Sequence, residues 1–340
     1  MRVVAAPDKL RGTATAPEVA GAVGRAAAAS GWACDEVPLA DGGEGTLEAL
    51  GGANRTTTVT GPSGRPVEAR WRLDGRTAVI EMAEASGLLV AGGAAANDAV
   101  AASTAGTGEL IVAALEAGAR RVIVGVGGSA TTDGGLAALR ALHPLGRLKG
   151  VDLVVACDVR TGFVDAADTF APQKGASPAQ VALLRRRLER LAQVYLDEHG
   201  VDVTAMEGAG AAGGLAGGLA AAGARLVPGF DLVADEVGLD ERLERADLVI
   251  TAEGFLDAQS FEGKVVGGVV EMAGAAGVPV VAVVGEVFDD VGDRIEVISL
   301  VERFGADRAV SDTVACIEAV ATEVLAQRGR AHPDRAEGVR

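Results

Sequence analysis

The chain has 340 residues, of which 49% are hydrophobic and 48 are glycine, the balance of a folded α/β protein made of one large or two modest domains. A formal net charge of −16 repels phosphate backbones, and an aromatic content of 3% leaves few platforms for stacked bases, so no nucleic-acid partner is expected. Three widely spaced cysteines without a CxxC pair, Cys34, Cys157 and Cys316, argue against a disulfide framework or a zinc site and for a reducing cytoplasm.

Met1 leads straight into a short strand at 2–6, with no signal-peptide pattern. Thr15 and Glu18 form a capping box ahead of an alanine-rich helix that runs to about Ser30. A second strand over 35–39 delivers the loop ADGGEGT at 40–46. Over 56–82, alternating residues with GPSG and DG turns predict antiparallel strands. A helix from Thr107 leads to the apolar strand 122–124. The stretch GVGGSATTDGG (125–135) that follows is a hydroxyl-rich, strand-to-helix loop with one carboxylate, which suits anions and their metals. A strand at 153–156 ends in Asp158, a charged amphipathic helix covers 183–196, and a glycine- and alanine-rich helix covers 209–222. Strands at 248–251 and 279–284 flank a helix at 265–275. The apolar region 267–287 is broken by Glu271 and Pro279, so no membrane span is expected. A last strand and helix occupy 296–326, and 327–340 reads as a mobile tail.

This order predicts an α/β fold with two domains. A Rossmann-like three-layer domain is built from 1–55 and 240–326, a mixed α/β domain is inserted at 56–239, and the cleft between them is the default site. Charged strand-end loops recur: Asp8, Lys9 and Arg11; Asp41 and Glu44; Ser129, Thr131 and Asp133; Asp158; Lys174; Glu253, Asp257 and Lys264. One such loop is ordinary turn chemistry; their recurrence points to a ligand. The set suits phosphoryl transfer assisted by Mg²⁺, with a carboxylate as a better base than His143, His199 or His332. There is no P-loop and no protein-kinase signature set. Gly208, Gly210 and Gly213 match GxGxxG, but the preceding TAME is a poor strand, so tight packing or an anion-facing helix start is preferred to dinucleotide binding.

The ordered stretches APDKLRG (6–12), ADGGEGT (40–46), GTGEL (106–110), GGSATTDGG (127–135), ACDV (156–159), PQKGA (172–176), GAGAAGGL (208–215) and the segment 247–264 resemble the bacterial glycerate kinase family, the type lacking a P-loop. The resemblance extends to about Ala326. It implies transfer of the ATP γ-phosphoryl group to a hydroxyl of glycerate with Mg²⁺, and two α/β domains around a cleft. On that reading Lys9, Arg11 and the loop residues Asp41, Gly42, Gly43 and Glu44 hold glycerate, while Asp8 or Asp41 accepts the proton or orients the hydroxyl. Gly127, Gly128, Ser129, Thr131, Lys174 and Lys264 are expected at the ATP phosphates, and Asp133, Asp158 and Glu253 compete for the metal. The product stays open between 2- and 3-phosphoglycerate, and a homodimer is the candidate assembly.

The chain also departs from the family pattern. AEGF stands where GEGR is usual, so Ala252 replaces a glycine and Phe255 an arginine; loss of a phosphate-stabilising arginine costs about 10³-fold or more. Arg11 stands where lysine is usual, and the two cations differ in fork geometry. RTGFVDAA (160–167) replaces an Asn-Pro-Leu stretch, and Ala99 and Val100 replace Pro-Leu. Alongside the kinase of glycerate or a related small hydroxy acid stand two rivals. One is a non-catalytic or regulatory homologue binding a nucleotide or metabolite, favoured by Phe255. The other is a nicotinamide-dependent oxidoreductase resting on GxGxxG.

Overall fold

The computed structural model describes residues 1–10, 12–261, 263–288 and 295–331. Arg11 therefore lies outside the described residues, as do residues 332–340 of the expected tail. In chain order the strands are β1 (Arg2–Ala5), β2 (Ala33–Glu36), β3 (Arg55–Thr60), β4 (Pro66–Asp74), β5 (Thr77–Glu81), β6 (Arg121–Gly125), β7 (Asp152–Cys157), β8 (Arg225–Pro228), β9 (Leu248–Leu256), β10 (Val280–Val287) and β11 (Glu296–Ser299). The chain divides into two compact units, the first made of Met1–Asp41, Glu48–Leu50 and the chain from Phe230, the second of Gly42–Leu47 and Gly51–Gly229.

The first unit is built on a parallel sheet in the order β11-β10-β9-β1-β2. Side chains alternate across a strand, and in β1 both faces are apolar. Val3 and Ala5 pack with helices Ala16–Ala29 and Thr313–Ala331, while Val4 packs on the other face with residues of Gly229–Glu236 and Val265–Ala275. The Thr15 and Glu18 capping box forms as read from the sequence. The expected strand 248–251 runs on to Leu256, because β10 continues beside it and pairs Glu253 with Val284 and Phe255 with Glu286. The last helix likewise continues past residue 326 to Ala331.

The second unit holds the sheet β3-β4-β5-β6-β7-β8. The β3/β4 and β4/β5 pairs are antiparallel, as the alternation over 56–82 predicts, and the pairs from β5 to β8 are parallel. The amphipathic helix is longer than its periodicity suggests, Pro178–His199, because Ser177 and Gln180 cap its start and Gly200 ends it in the left-handed region. The glycine- and alanine-rich segment Ala211–Ala221 is not one regular helix. Ala212, Gly213 and Gly214 have φ of 53°, 68° and 89°, and a Cβ on Gly213 would lie 2.0 Å from the Thr131 carbonyl oxygen. Gly208 and Gly210 also lie tightly against Cys157 and the Gly162 carbonyl, so the glycines of the GxGxxG match serve close packing. Among the described residues no helix is long and apolar enough to cross a membrane.

Candidate active-site residues in each unit

In the first unit the loops after β1 and β9 leave neighbouring strand ends, where open parallel sheets bind ligands. The Asp8 amide donates to the Ala252 carbonyl at 2.9 Å, and Thr251 Oγ1 donates to the Ala6 carbonyl at 2.8 Å. Asp8 Oδ1 accepts the Lys9 amide at 2.7 Å and lies 3.7 Å from Lys9 Nζ. Burial pushes the Asp8 carboxyl up to about 6; Lys9 opposes the shift and Asp41 adds to it. Glu253 is 8% exposed, and its buried Oε1 has no hydrogen-bond partner. Burial pushes it up to about 7, against a hydrogen bond from Ser260 and the charge of Lys264, with Asp8 and Asp257 adding to the shift. Asp8, Lys9, Asp41, Glu253 and Lys264 thus share one electrostatic neighbourhood.

That neighbourhood holds more buried negative charge than its lysines offset, so it can take up a proton or a cation. Among the described residues no group of three or more His, Cys, Asp or Glu is arranged to hold a metal. Mg²⁺ does not require one, since it commonly uses one or two carboxylates and completes its shell with water and substrate phosphates. The orphaned Glu253 Oε1 fits such a role. Phe255, in the expected arginine's place, is 54% exposed and packs at a tilt against Phe288 with ring centroids 5.3 Å apart.

In the second unit the two glycine-rich loops lie backbone on backbone. The Val126 amide donates to the Gly42 carbonyl at 3.1 Å, and a Cβ on Gly127 would sit 2.6 Å from Gly43 Cα. Only glycine permits that approach. Glu44 is exposed, whereas Glu81 is buried, and its Oε1 accepts the amides of Gly45 at 2.9 Å and Leu47 at 2.7 Å. Burial outweighs those two donors and pushes the Glu81 carboxyl up to about 7.

Ser129, Thr131 and Lys174 come together. Lys174 Nζ donates to Ser129 Oγ and to the Thr131 carbonyl, both at 2.7 Å, and the residue is only 3% exposed. Burial lowers its ammonium to about 7, opposed by Asp133. Gly128 is fixed through its carbonyl, which accepts the Leu88 amide at 2.8 Å. Asp133 turns inward: one oxygen accepts the amide and hydroxyl of Thr104 at 3.0 and 2.8 Å, and the other accepts the Gly135 amide at 3.0 Å. Burial still raises its carboxyl above the usual range. Asp158 is exposed just beyond β7.

Three supporting residues escaped the sequence reading. Glu81 anchors the 42–47 loop, Thr104 links Asp133 to the Ala138 amide at 3.1 Å, and Asn97 Nδ2 donates to the carbonyls of Ala130 and Lys174 at 3.0 and 2.9 Å. Glu81 carried a readable signal, an acid ending an apolar strand. The departure at 160–167 is anchored by Phe163, which is fully buried against Tyr195 with ring centroids 6.0 Å apart, while Arg160 pairs with Glu207 at the surface.

Glycine-rich loops and proton-binding side chains at parallel strand ends define an α/β enzyme, and comparison with known proteins places it among the kinases. The glycerate kinase family model matches residues 3–146 and 143–328. The chain is 40% identical over 332 residues to Glycerate 2-kinase of Escherichia coli (strain K12), spanning 86% of this chain and 87% of the relative. It is 39% identical over 330 residues to Glycerate kinase of Bacillus subtilis (strain 168), spanning 85% and 86%. A crystal structure from Salmonella typhimurium LT2, assigned as glycerate kinase 2, superposes with a TM-score of 0.84 at 34% identity, covering 98% of this chain and 99% of that one. The chain belongs to the glycerate kinase family.

Proposed function

We propose that this kinase phosphorylates glycerate, using ATP and Mg²⁺, and that the product is 2-phosphoglycerate. The observation that carries the reading is the strand-end group in which Asp8, with a carboxyl near 6, lies beside Lys9 and in the field of Glu253. At neutral pH Asp8 is ionised and able to take the proton from the accepting hydroxyl. Lys9 supplies a cation for the glycerate carboxylate, and Asp41 orients the second hydroxyl. Glu253, with Asp8 beside it electrostatically, would hold Mg²⁺, which when bound neutralises charge on the transferring phosphoryl group.

Lys264 and the 127–131 loop are assigned to the nucleotide phosphates. Gly127 and Gly128 expose backbone there, and Lys174 acts from within by holding Ser129 and the Thr131 carbonyl in place. Placement of the phosphate on the 2-hydroxyl is supported by the 40% identity to a relative named Glycerate 2-kinase. The test follows ADP release with D-glycerate, L-glycerate and a panel of small hydroxy acids in the presence of Mg²⁺. Turnover is expected with one glycerate enantiomer, and phosphorus NMR of the product separates 2- from 3-phosphoglycerate. ATP binding without turnover on any acceptor would leave only a regulatory homologue.

A further inference from the structure

Beside the 129–135 loop, the second unit contains a cavity of about 420 Å³ that none of the roles above uses. This lies within the size range of small-molecule pockets, roughly 300–1,000 Å³. Its walls include Leu136 from the end of that loop and Leu188 and Leu191 from the helix Pro178–His199, together with Thr132, Arg140 and Arg190. Thr132 is 2% exposed, and its buried hydroxyl has no hydrogen-bond partner. A buried hydroxyl left without a partner is destabilising unless something supplies the missing bond. The acid in the wall, Asp133, already spends both oxygens on Thr104 and Gly135. Arg187, also in the wall, donates to the Val100 carbonyl at 3.0 Å, while Arg140 and Arg190 are exposed and make no ion pair among the described residues.

We infer that this cavity takes the purine nucleoside of the phosphoryl donor, an inference that rests on the reading of the donor as ATP. Glycerate has no apolar surface to match leucine walls. A purine does: its faces bury against the half-buried Leu136 and Leu191, and its polar edge offers the Thr132 hydroxyl a partner. Guanidinium groups pair with phosphate, so the exposed Arg140 and Arg190 suit the rim of a site for a base that carries a polyanionic tail. The wall also shares its loop with Ser129 and Thr131, the residues assigned to the donor phosphates.

The test is calorimetric titration of the full chain with ADP and, separately, with adenosine, in the absence of acceptor. Val194, another wall residue, is half-buried, so Val194→Trp fills the cavity; the double variant Arg140→Gln/Arg190→Gln changes only exposed side chains. Filling the cavity should weaken both ligands by about tenfold or more, and the arginine variant should weaken ADP by about tenfold while leaving adenosine within about twofold. Unchanged ADP affinity in the arginine variant, with its thermal unfolding like that of the parent, overturns the inference and leaves the ATP reading standing. A parent chain that binds neither ADP nor ATP overturns both. Should Val194→Trp fail to fold, the arginine variant decides alone.

Discussion

At the scale of residues, Asp8 and Glu253 owe their high proton affinity to burial that nearby lysines only partly offset. If Asp8 is the base, initial rates should climb with pH up to about 6 and level off above it. Asp8→Asn should lose that limb and about 10²–10⁴ of the rate, as initial rates from pH 5 to 8 would reveal. The same shift has a stability consequence. Between 3.8 and about 6 the native state binds more protons than the unfolded chain, so ionising Asp8 lowers stability as pH rises through that window. Asp8→Asn removes this cost and should be more stable at pH 8 by on the order of 1–3 kcal/mol, as denaturant unfolding would show. Lys174 works in the opposite sense: its ammonium falls from 10.5 to about 7, so its contribution to stability rises with pH across that interval. Phe255 tests the missing arginine. Phe255→Arg should raise turnover by about tenfold or more if a guanidinium there meets the transferring phosphate, and an unchanged rate would remove that position from the reaction.

At the scale of elements, the 42–47 loop is held by Glu81, which lies at the end of β5 and far from it in sequence. Glu81→Ala strands the amides of Gly45 and Leu47, so a loss of about 1–3 kcal/mol for each amide is expected in denaturant unfolding, together with a higher KM for glycerate. Glu81→Gln keeps an acceptor and should recover much of both. Gly213→Ala would drive a methyl into the Thr131 carbonyl and should unfold the 131–135 loop or the whole unit, visible as a lower Tm. How much of these elements could be read beforehand follows from their range. The Thr15 and Glu18 capping box and the alternation over 56–82 are local patterns and appear in the structure as read. The extension of β9 to Leu256 depends on pairing with β10, and the irregular start of Ala211–Ala221 depends on the loop it packs against; neither is encoded in its own residues.

At the scale of the molecule, a net charge of −16 means that the folded chain repels itself at low ionic strength. Raising salt from about 10 to 150 mM shortens the Debye length from roughly 30 to 8 Å and should raise Tm, a shift that differential scanning calorimetry would detect. The sequence by itself determined the α/β class and the glycerate kinase family, and it singled out the loops proposed to carry the chemistry, because each rests on short-range glycine spacing, charge and the order of motifs. Tertiary structure decided what each charged group in those loops is doing. Asp133 looks like any other loop acid until Thr104 and Gly135 are found on its two oxygens, and Lys174 looks like a surface lysine until Ser129 and Thr131 enclose it. Glu253 is separated from Asp133 and Asp158 as a candidate metal ligand by its buried, unpaired Oε1. Burial and partnership come from residues distant in the chain, and they set the free energy of a charge more strongly than its neighbours in sequence do.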